Sequence, residues 1–217
     1  MENKLLIFDL DGTLINTVKD LNTAVNFSLK KNNFPLRSIE QTTRDIGNGV
    51  AKLIERSIPG GLDNPLYKKC LSEFKDYYKE HYFESSFPYD GIKDTLINLK
   101  KRGYKLAVVT NKFNEGANKM INHYFPNIFD VIQGEEEKYQ KKPHPEMVNV
   151  VVNKLGFDKK NCHYIGDTDV DYETAINAHI PPILVSYGYR SRKFLEDKIK
   201  GVPIIDTPSE LLKILGQ

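Results

Sequence analysis

The feature that most limits the fold is a short run of apolar residues near the amino terminus, Leu5–Phe8, which acidic residues follow at once. A continuous apolar run of this length is typical of a strand buried on both faces, as in a parallel sheet covered by helices. Asp9 and Asp11 then lie at the carboxyl end of the strand, where open α/β sheets hold their active sites. The run therefore predicts a parallel sheet and the edge at which its site lies.

A hairpin turn at Asp11-Gly12 is the ordinary alternative, and it would require a second strand directly after it. The following residues are helical instead, because apolar side chains recur at spacings of three and four from Val18 to Leu29. Asp9 and Asp11, with a single residue between them, can share one cation and one reacting phosphate. The pattern therefore favours a chemical site over a turn.

The rest of the chain divides into two regions. Residues from about 15 to 85 carry three helical patterns, which predict a small helical bundle. After Pro88, helix and strand patterns alternate, which predicts right-handed crossovers and a parallel sheet that the first strand must join. We expect an α/β protein: residues 1–14 and 86–217 form a Rossmann-like parallel sheet with helices on both faces, and residues 15–85 form an inserted helical cap. The later strands are predicted at Lys105–Val109, Asp130–Ile132, His163–Ile165, Pro182–Ser186 and Pro203–Ile205.

Composition excludes several classes of protein. A chain of 217 residues can bury a full core, and its formal net charge of +2 at pH 7 is nearly balanced. Without a stripe rich in lysine and arginine, neither nucleic acid nor a membrane surface is indicated as a partner. The first residues lack the apolar region of a signal peptide, which predicts a cytoplasmic protein. Cys70 and Cys162 fit no metal or redox spacing.

Polar residues follow the later strands as they follow the first. Thr110 and Asn111 come directly after the second core strand, Asp167 follows the strand ending at Ile165, and Lys142 stands in a loop that opens a helix. Alone, Thr110 is as well explained as a helix N-cap and Lys142 as a surface lysine. Because the carboxyl ends of parallel strands share one edge, we expect all of them to converge on one crevice.

Four segments together resemble the sequence motifs of the haloacid-dehalogenase-like hydrolases, in order and over the whole chain. They are Asp9-Leu10-Asp11-Gly12-Thr13, Thr110-Asn111, Lys142-Pro143-His144-Pro145 and Gly166-Asp167-Thr168-Asp169-Val170-Asp171. The presence of both acids in the first segment resembles the phosphatase branch of the family. The insertion after it resembles a helical cap.

Further segments are similar to bacterial phosphoglycolate phosphatases. They are Ile46–Val50 with Leu53 to Arg56, Val108–Lys112, Lys141–Pro145 and Tyr187–Tyr189. Related pyrophosphatases, nucleotidases and sugar-phosphate phosphatases share the core motifs and stay open as alternatives. A phosphomutase and a non-catalytic binding protein are less favoured. A binding protein would be expected to lack one of the residues Asp9, Asp11, Lys142 and Asp167, and all four are present.

The residue types suit phosphoryl transfer, which requires a nucleophile, neutralisation of phosphate charge and a proton for the leaving group. Asp9 is the candidate nucleophile, and Asp11 can protonate the leaving oxygen and then deprotonate water. Four acids, Asp9, Asp11, Asp167 and Asp171, face one lysine, Lys142. Such a crevice would repel phosphate, so it requires a divalent cation, and oxygen ligands suit Mg²⁺ best.

The resemblance also implies which groups bind the metal. It gives the side chains of Asp9 and Asp167 and the backbone carbonyl of Asp11 as ligands, with Asp171 in support. Asp169 is interpreted as an acid that begins a helix.

The resemblance assigns the phosphate contacts as well. Lys142 pairs with Asp9 and the phosphoryl oxygens, while the Thr110 hydroxyl and the Asn111 amide donate to the same oxygens. Thr13, beside the two acids, is a further candidate for substrate binding. The expected partner is a small phosphorylated metabolite, with the protein a monomer or homodimer.

Specificity is expected to come from the inserted region. Gly47, Asn48 and Gly49 precede its second predicted helix and offer backbone amides at a positive helix end, a suitable seat for a small carboxylate. Arg44 and Lys52 flank these residues and could add positive charge. The alternative is a flexible helix-start loop with solvated basic neighbours, because glycine is also ordinary at helix starts.

Overall fold

A computed structural model describes residues 4–216 of the chain. Within them the chain forms two compact units, one made of residues 4–15 and 88–216, the other of Asn16–Phe87. The first unit is α/β, which confirms the predicted fold class.

One parallel sheet organises the first unit. Within the described residues, the strands are β1 (Leu5–Phe8), β2 (Ile15–Asn16), β3 (Phe87–Pro88), β4 (Lys105–Phe113), β5 (Val131–Glu135), β6 (Cys162–Gly166), β7 (Pro182–Val185) and β8 (Ile204–Ile205). Six of them form a parallel sheet in the order β5-β4-β1-β6-β7-β8, while β2 and β3 pair as a separate ribbon. All four residues of β1 are fully buried, as expected for a central strand covered on both faces.

Helices of the first unit cover this sheet, and further helices form the second unit. The helices of residues 4–216 are α1 (Val18–Lys31), α2 (Ile39–Asp45), α3 (Val50–Ser57), α4 (Tyr67–His81), α5 (Ile92–Lys101), α6 (Asn114–Tyr124), α7 (Glu146–Leu155), α8 (Asp169–Asn177), α9 (Arg192–Lys198) and α10 (Leu211–Ile214). On one face, Met147 and Val151 of α7 share a core with Leu5 and Ile7. None of the helices in this part of the chain has the length and apolar content needed to cross a bilayer.

The second unit contains four α-helices where the sequence pattern predicted three. The additional helix is α2, which begins with a capping box: Ser38 Oγ accepts from the Gln41 amide, and Gln41 Oε1 accepts from the Ser38 amide. Of its seven residues only Thr42 is buried, so the helix carries almost no apolar periodicity. Phe74 and Tyr78 of α4 stack at 5.2 Å in the core of this unit.

Strand β4 extends four residues past its predicted end at Val109, so Thr110 and Asn111 lie inside the strand and not after it. The register with β5 shifts beyond Val109, and pairing resumes where Phe113 lies opposite Glu135. A Cβ on Gly134 of β5 would overlap the backbone of β4 and its continuation, so only glycine permits this close approach. The sequence pattern missed the extension because polar residues replace the apolar run there.

Candidate active site

Asp9 continues the line of β1 into the site. Its amide donates to the Ile165 carbonyl oxygen at 2.9 Å, which keeps the backbone against β6. Its carboxylate Oδ1 lies 2.8 Å from Lys142 Nζ. Burial raises the pKa of Asp9 to about 7, because the opposing effect of Lys142 is incomplete and Asp171 adds repulsion. Added positive charge would therefore stabilise the ionised form of Asp9.

Lys142 is a buried ammonium group with three polar neighbours. Its Nζ lies 2.7 Å from Asp171 Oδ1, 2.8 Å from Asp9 Oδ1 and 3.1 Å from the Tyr164 hydroxyl oxygen. Burial alone would lower the pKa of Lys142, but the two carboxylates raise it well above its ordinary value. Lys142 is therefore a fixed positive charge at the end of β1. Tyr164, which sequence reasoning did not identify, also donates to the Val109 carbonyl oxygen at 3.0 Å.

Asn111 holds the backbone that presents this lysine. Its side-chain oxygen accepts from the Lys142 amide at 2.8 Å, and its side-chain nitrogen donates to the Lys142 carbonyl at 3.0 Å. The sequence predicted a contact of the Asn111 backbone amide with substrate, which stays a prediction. Its side chain has a role that the sequence did not indicate, because the paired segment lies 31 residues away.

Asp167 is fully buried at the end of β6, and both its oxygens accept hydrogen bonds. The Thr13 hydroxyl donates to Oδ1 at 3.1 Å, and the Tyr189 amide donates to Oδ2 at 2.7 Å. Burial raises the pKa of Asp167, and the nearby Asp171 and Asp9 raise it further. Thr13, a predicted substrate contact, is thus placed against a predicted metal ligand.

Asp171 connects the start of α8 to the lysine. Its Oδ2 accepts from the Thr168 hydroxyl at 2.6 Å and from the amides of Thr168 and Asp167 at 3.0 and 3.2 Å. Its Oδ1 accepts from Lys142. These contacts are those of a group that holds its neighbours in place, in line with the supporting role that the resemblance implies.

Asp11 is paired with a lysine that sequence reasoning missed. Lys112 Nζ lies 3.2 Å from Asp11 Oδ1, and the Lys112 side chain is only 2% exposed. The Lys112 amide also donates to Thr110 Oγ1 at 3.2 Å, so Thr110 lies beside this pair and is itself buried. The expectation of one lysine against four acids is therefore wrong: two buried lysines face them.

Three glycines allow the acidic residues to approach so closely. A Cβ on Gly12, whose φ is +92°, would overlap the Asp167 carboxyl group, and a Cβ on Gly166 would overlap the Asp171 side chain. Gly188 lies against both the Gly12 carbonyl oxygen and Asp167. The loop after β7 is thereby packed onto the loop after β1.

The residues present fit a divalent cation. Asp9, Asp167 and Asp171 each offer a carboxylate oxygen, and these oxygens lie within 4.8 Å of one another. All are hard oxygen donors, which Mg²⁺ prefers. When the four acids and two lysines are ionised, the site carries an excess of two negative charges, which one divalent cation offsets.

The match to known families agrees with this geometry. Residues 6–185 match the family model described as haloacid dehalogenase-like hydrolase. The chain is a haloacid dehalogenase-like hydrolase. This confirms the resemblance found in the sequence motifs.

Similar proteins narrow the class of this hydrolase. Phosphoglycolate phosphatase from Aliivibrio fischeri is 31% identical over 220 residues, which cover 98% of this chain and 96% of the relative. Phosphoglycolate phosphatase from Aquifex aeolicus is 32% identical over 217 residues, with the same coverage. A crystal structure from Lactobacillus delbrueckii subsp. bulgaricus, described as a candidate phosphoglycolate phosphatase, has a TM-score of 0.93 at 32% identity and covers 99% of both chains. The hydrolase is therefore a phosphatase.

Asp169 of this hydrolase is the first residue of α8 and forms an ion pair with Lys198. Burial raises the pKa of Asp169, but the hydrogen bond and the charge of Lys198 together outweigh burial and lower the pKa. These contacts agree with its interpretation as an acid that begins a helix.

Five predicted specificity residues of the hydrolase lie in its second unit. Gly47 and Gly49 have φ angles of +128° and +81°, which glycine adopts readily. Arg56, which the predicted seat did not include, donates to the Asp45 carbonyl oxygen and to Asn48 Oδ1 and so braces this loop. Lys52 is paired with Glu55, and Arg44 is a basic residue in the last turn of α2.

Proposed function

We propose that the protein is a Mg²⁺-dependent phosphomonoester hydrolase that forms a phosphorylated Asp9 and acts on 2-phosphoglycolate. The observation that carries this proposal is the buried Asp9 carboxylate, 2.8 Å from Lys142 Nζ and grouped with Asp167 at the carboxyl edge of the sheet. A carboxylate is already a nucleophile near neutral pH, and a fixed ammonium beside it can receive a phosphoryl oxygen.

In the first step, an oxygen of Asp9 forms a bond to phosphorus as the bond from phosphorus to the ester oxygen breaks. Asp11 gives its proton to that oxygen, so the alcohol leaves neutral. Bound Mg²⁺ would neutralise phosphate charge, with Asp9, Asp167 and the Asp11 carbonyl as its protein ligands. Lys142 stays paired with Asp9 and contacts the transferring group.

In the second step, water releases phosphate. Asp11, now a carboxylate, takes a proton from the water as the water oxygen bonds to phosphorus and the bond to Asp9 breaks. Thr110 and the Asn111 amide donate to the phosphoryl oxygens in both steps. Inorganic phosphate and the original Asp9 carboxylate result.

Two observations support 2-phosphoglycolate as the substrate. Relatives named phosphoglycolate phosphatase align with 98% of this chain. Within the second unit, the amides at Gly47–Gly49 precede α3, and Arg44 and Lys52 lie on either side in sequence. A helix start of this kind favours a carboxylate, which 2-phosphoglycolate carries besides its phosphate.

The test is a comparison of phosphate esters with Mg²⁺ present. We expect kcat/KM to be highest for 2-phosphoglycolate among 2-phosphoglycolate, pyrophosphate, a nucleoside monophosphate, a sugar phosphate and p-nitrophenyl phosphate. The Arg44→Ala, Lys52→Ala and Gly49→Val variants should lower kcat/KM for 2-phosphoglycolate by about tenfold or more, because a charge contact or access to the amides is lost.

The matched control is p-nitrophenyl phosphate, which has no carboxylate and should lose little in these variants. Lys69→Ala, at an exposed lysine of the same unit, should change neither substrate. A preference for pyrophosphate, or an equal loss for both esters, would contradict the carboxylate seat. No release of phosphate from any ester would contradict the phosphatase mechanism itself.

A further inference from the structure

Lys112 is a buried charge to which the proposed mechanism gives no role. Its side chain is 2% exposed, whereas that of its partner Asp11 is 18% exposed. An ammonium group loses hydration when it is buried, and contact with a carboxyl oxygen offsets part of that loss. The 3.2 Å contact with Asp11 Oδ1 therefore explains how the lysine is tolerated, and it leaves Asp11 as the more exposed member of the pair.

The backbone that carries Lys112 is fixed on both sides. Its amide donates to Thr110 Oγ1 at 3.2 Å. On the other side, its carbonyl lies so close to Gly134 of β5 that a side chain there would overlap it. Regular pairing resumes one residue later, at Phe113. The lysine thus projects from strand β4, within the stretch where the register with β5 shifts, and not from a loop.

The backbone at Asp11 is fixed as well. Asp11 forms a bridge with Ile15, and the adjacent Gly12 amide donates to the Ile15 carbonyl at 2.9 Å. The terminal torsion of an aspartate is nonetheless broad, so a fixed backbone does not by itself orient the carboxyl group. The Lys112 ammonium group, 3.2 Å from Oδ1, favours one orientation of this carboxyl group.

We propose that Lys112 is a positioning residue, whose ammonium group holds the Asp11 carboxyl group in the orientation that passes its proton to the leaving-group oxygen. This inference rests on the proposed function. The two buried lysines then have separate tasks, since Lys142 contacts Asp9 and Asp171 while Lys112 contacts Asp11. Loss of Lys112 should therefore affect proton donation and spare the attack by Asp9.

Phenyl phosphate and p-nitrophenyl phosphate distinguish these steps. Their rings are alike and neither carries a carboxylate, but phenol leaves far less readily without a proton. The quantity to measure is kcat/KM, which covers the steps up to departure of the alcohol. We expect Lys112→Met to lower kcat/KM for phenyl phosphate about 100-fold, the usual effect of a misplaced catalytic group, and for p-nitrophenyl phosphate less than about 5-fold.

Asp11→Asn should show the same dependence on the leaving group. Adding Lys112→Met to Asp11→Asn should cause no further loss, because the lysine acts through Asp11. This double variant removes both charges of the buried pair, so it keeps the test decisive if Lys112→Met alone does not fold. Lys105→Met removes a half-exposed lysine from the same strand and should leave the ratio of the two substrates unchanged.

Three results would overturn the inference. One is an equal loss for both aryl esters in Lys112→Met, which indicates a structural role. Another is a raised KM for 2-phosphoglycolate with both aryl esters unaffected, which indicates a contact with the substrate carboxylate. The third is a further loss in the double variant. If Asp11→Asn itself lacks the dependence on the leaving group, the proposed proton donor is wrong and the fault lies in the proposed function.

Discussion

At the scale of single residues, the site is held together by unlike charges that are buried in pairs. Burial of Asp9, Asp167 and Asp171 within 4.8 Å opposes folding, because each carboxylate loses hydration and repels the others. Lys142, which contacts Asp9 and Asp171, offsets part of this cost, and Lys112 pairs with the neighbouring Asp11. The remaining negative charge favours a cation at this site.

We expect Asp9→Asn to abolish turnover while the fold is kept. An amide has nearly the same size as a carboxylate but is a poor nucleophile and a poor metal ligand, so phosphate release should fall by several orders of magnitude. The measurement is release of inorganic phosphate with saturating Mg²⁺, with circular dichroism as the check on folding. Asp169→Asn is the matched control, since Asp169 pairs with Lys198 and should be dispensable for turnover. Phosphate release from Asp9→Asn at the wild-type rate would rule out Asp9 as the nucleophile.

Sequence reasoning reached the acids of the site but not all of their partners. Asp9, Asp167 and Lys142 could be identified because each follows a strand or opens a helix in a recognisable segment. Lys112 and Tyr164 could not be identified, because each matters through a contact with a distant part of the sequence. Lys112 contacts Asp11, 101 positions away, and Tyr164 contacts Lys142, 22 positions away. A buried lysine has no local pattern that separates it from a surface lysine.

At the scale of elements, the bounds that were predicted best belong to the uninterrupted apolar run near the amino terminus. Leu5–Phe8 is a strand with the predicted limits, because the apolar run ends at the acid that follows it. Helix α2 was missed although its capping residues Ser38 and Gln41 are visible in the sequence, because its exposed surface carries no apolar stripe. Capping chemistry can thus indicate a helix that periodicity does not.

The loop after β7 offers a test at this scale. A methyl group at Gly188 would overlap the Gly12 carbonyl and Asp167, so Gly188→Ala must displace the Tyr189 amide that holds Asp167. Loss of such a supporting contact typically weakens metal binding 10- to 100-fold, so we expect a fall of about tenfold or more in Mg²⁺ affinity by calorimetric titration without substrate.

The control for this variant is Gly156→Ala, at the end of α7. Gly156 has a φ of +71° and open space around its Cα, so alanine there should lower the free energy of unfolding by about 1 kcal/mol, the cost of a left-handed backbone for a residue with a Cβ. The affinity of the Gly156→Ala variant for Mg²⁺ should equal that of the wild type. If Gly188→Ala binds Mg²⁺ as tightly as the wild type, the loop does not orient Asp167.

At the scale of the whole α/β unit, the candidate active site and a cluster of stabilising contacts around Asp130 lie at opposite edges of one sheet. The acids of the site follow the carboxyl ends of β1 and β6, whereas Asp130 stands before β5 at the amino edge. The Asp130 carboxylate accepts from Lys100 and Lys105, each at 2.8 Å, and from the Leu106 amide at 2.9 Å. It therefore links α5, β4 and the start of β5.

Asp130 should make the stability of the protein depend on pH. Partial burial raises its pKa, but the hydrogen bonds from Lys100, Lys105 and Leu106 outweigh burial and lower it. A group whose pKa is lowered on folding stabilises the protein above its unfolded pKa of about 4, and this contribution is lost as the pH falls through the lower, folded value. We expect Asp130→Asn to be less stable than the wild type by about 1–2 kcal/mol at pH 7, with a smaller difference below pH 4.

Urea unfolding at a series of pH values measures this difference. Asp158→Asn is the control, because the ion pair of Asp158 with Lys160 is largely exposed and should contribute little at any pH. A difference between wild type and Asp130→Asn that stays constant from pH 7 to below pH 4 would show that the charge of Asp130 is not what stabilises this edge.

The central place of β1 also has a consequence for the order in which the chain is completed during synthesis. Leu5 pairs with Lys105 on one side and with Cys162 on the other, so β1 leaves the ribosome about 100 and 157 residues before its two partners. By contrast, Asn16–Phe87 is one continuous stretch of sequence. All the residues that pack within this unit have been made before β4 is made. Until β6 is made, β1 lacks one of its two neighbouring strands. Asp9 then also lacks the acid that follows β6, Asp167. Pairings between such distant residues are slow to form, so the edge that holds the candidate active site is among the last parts that a nascent chain can complete.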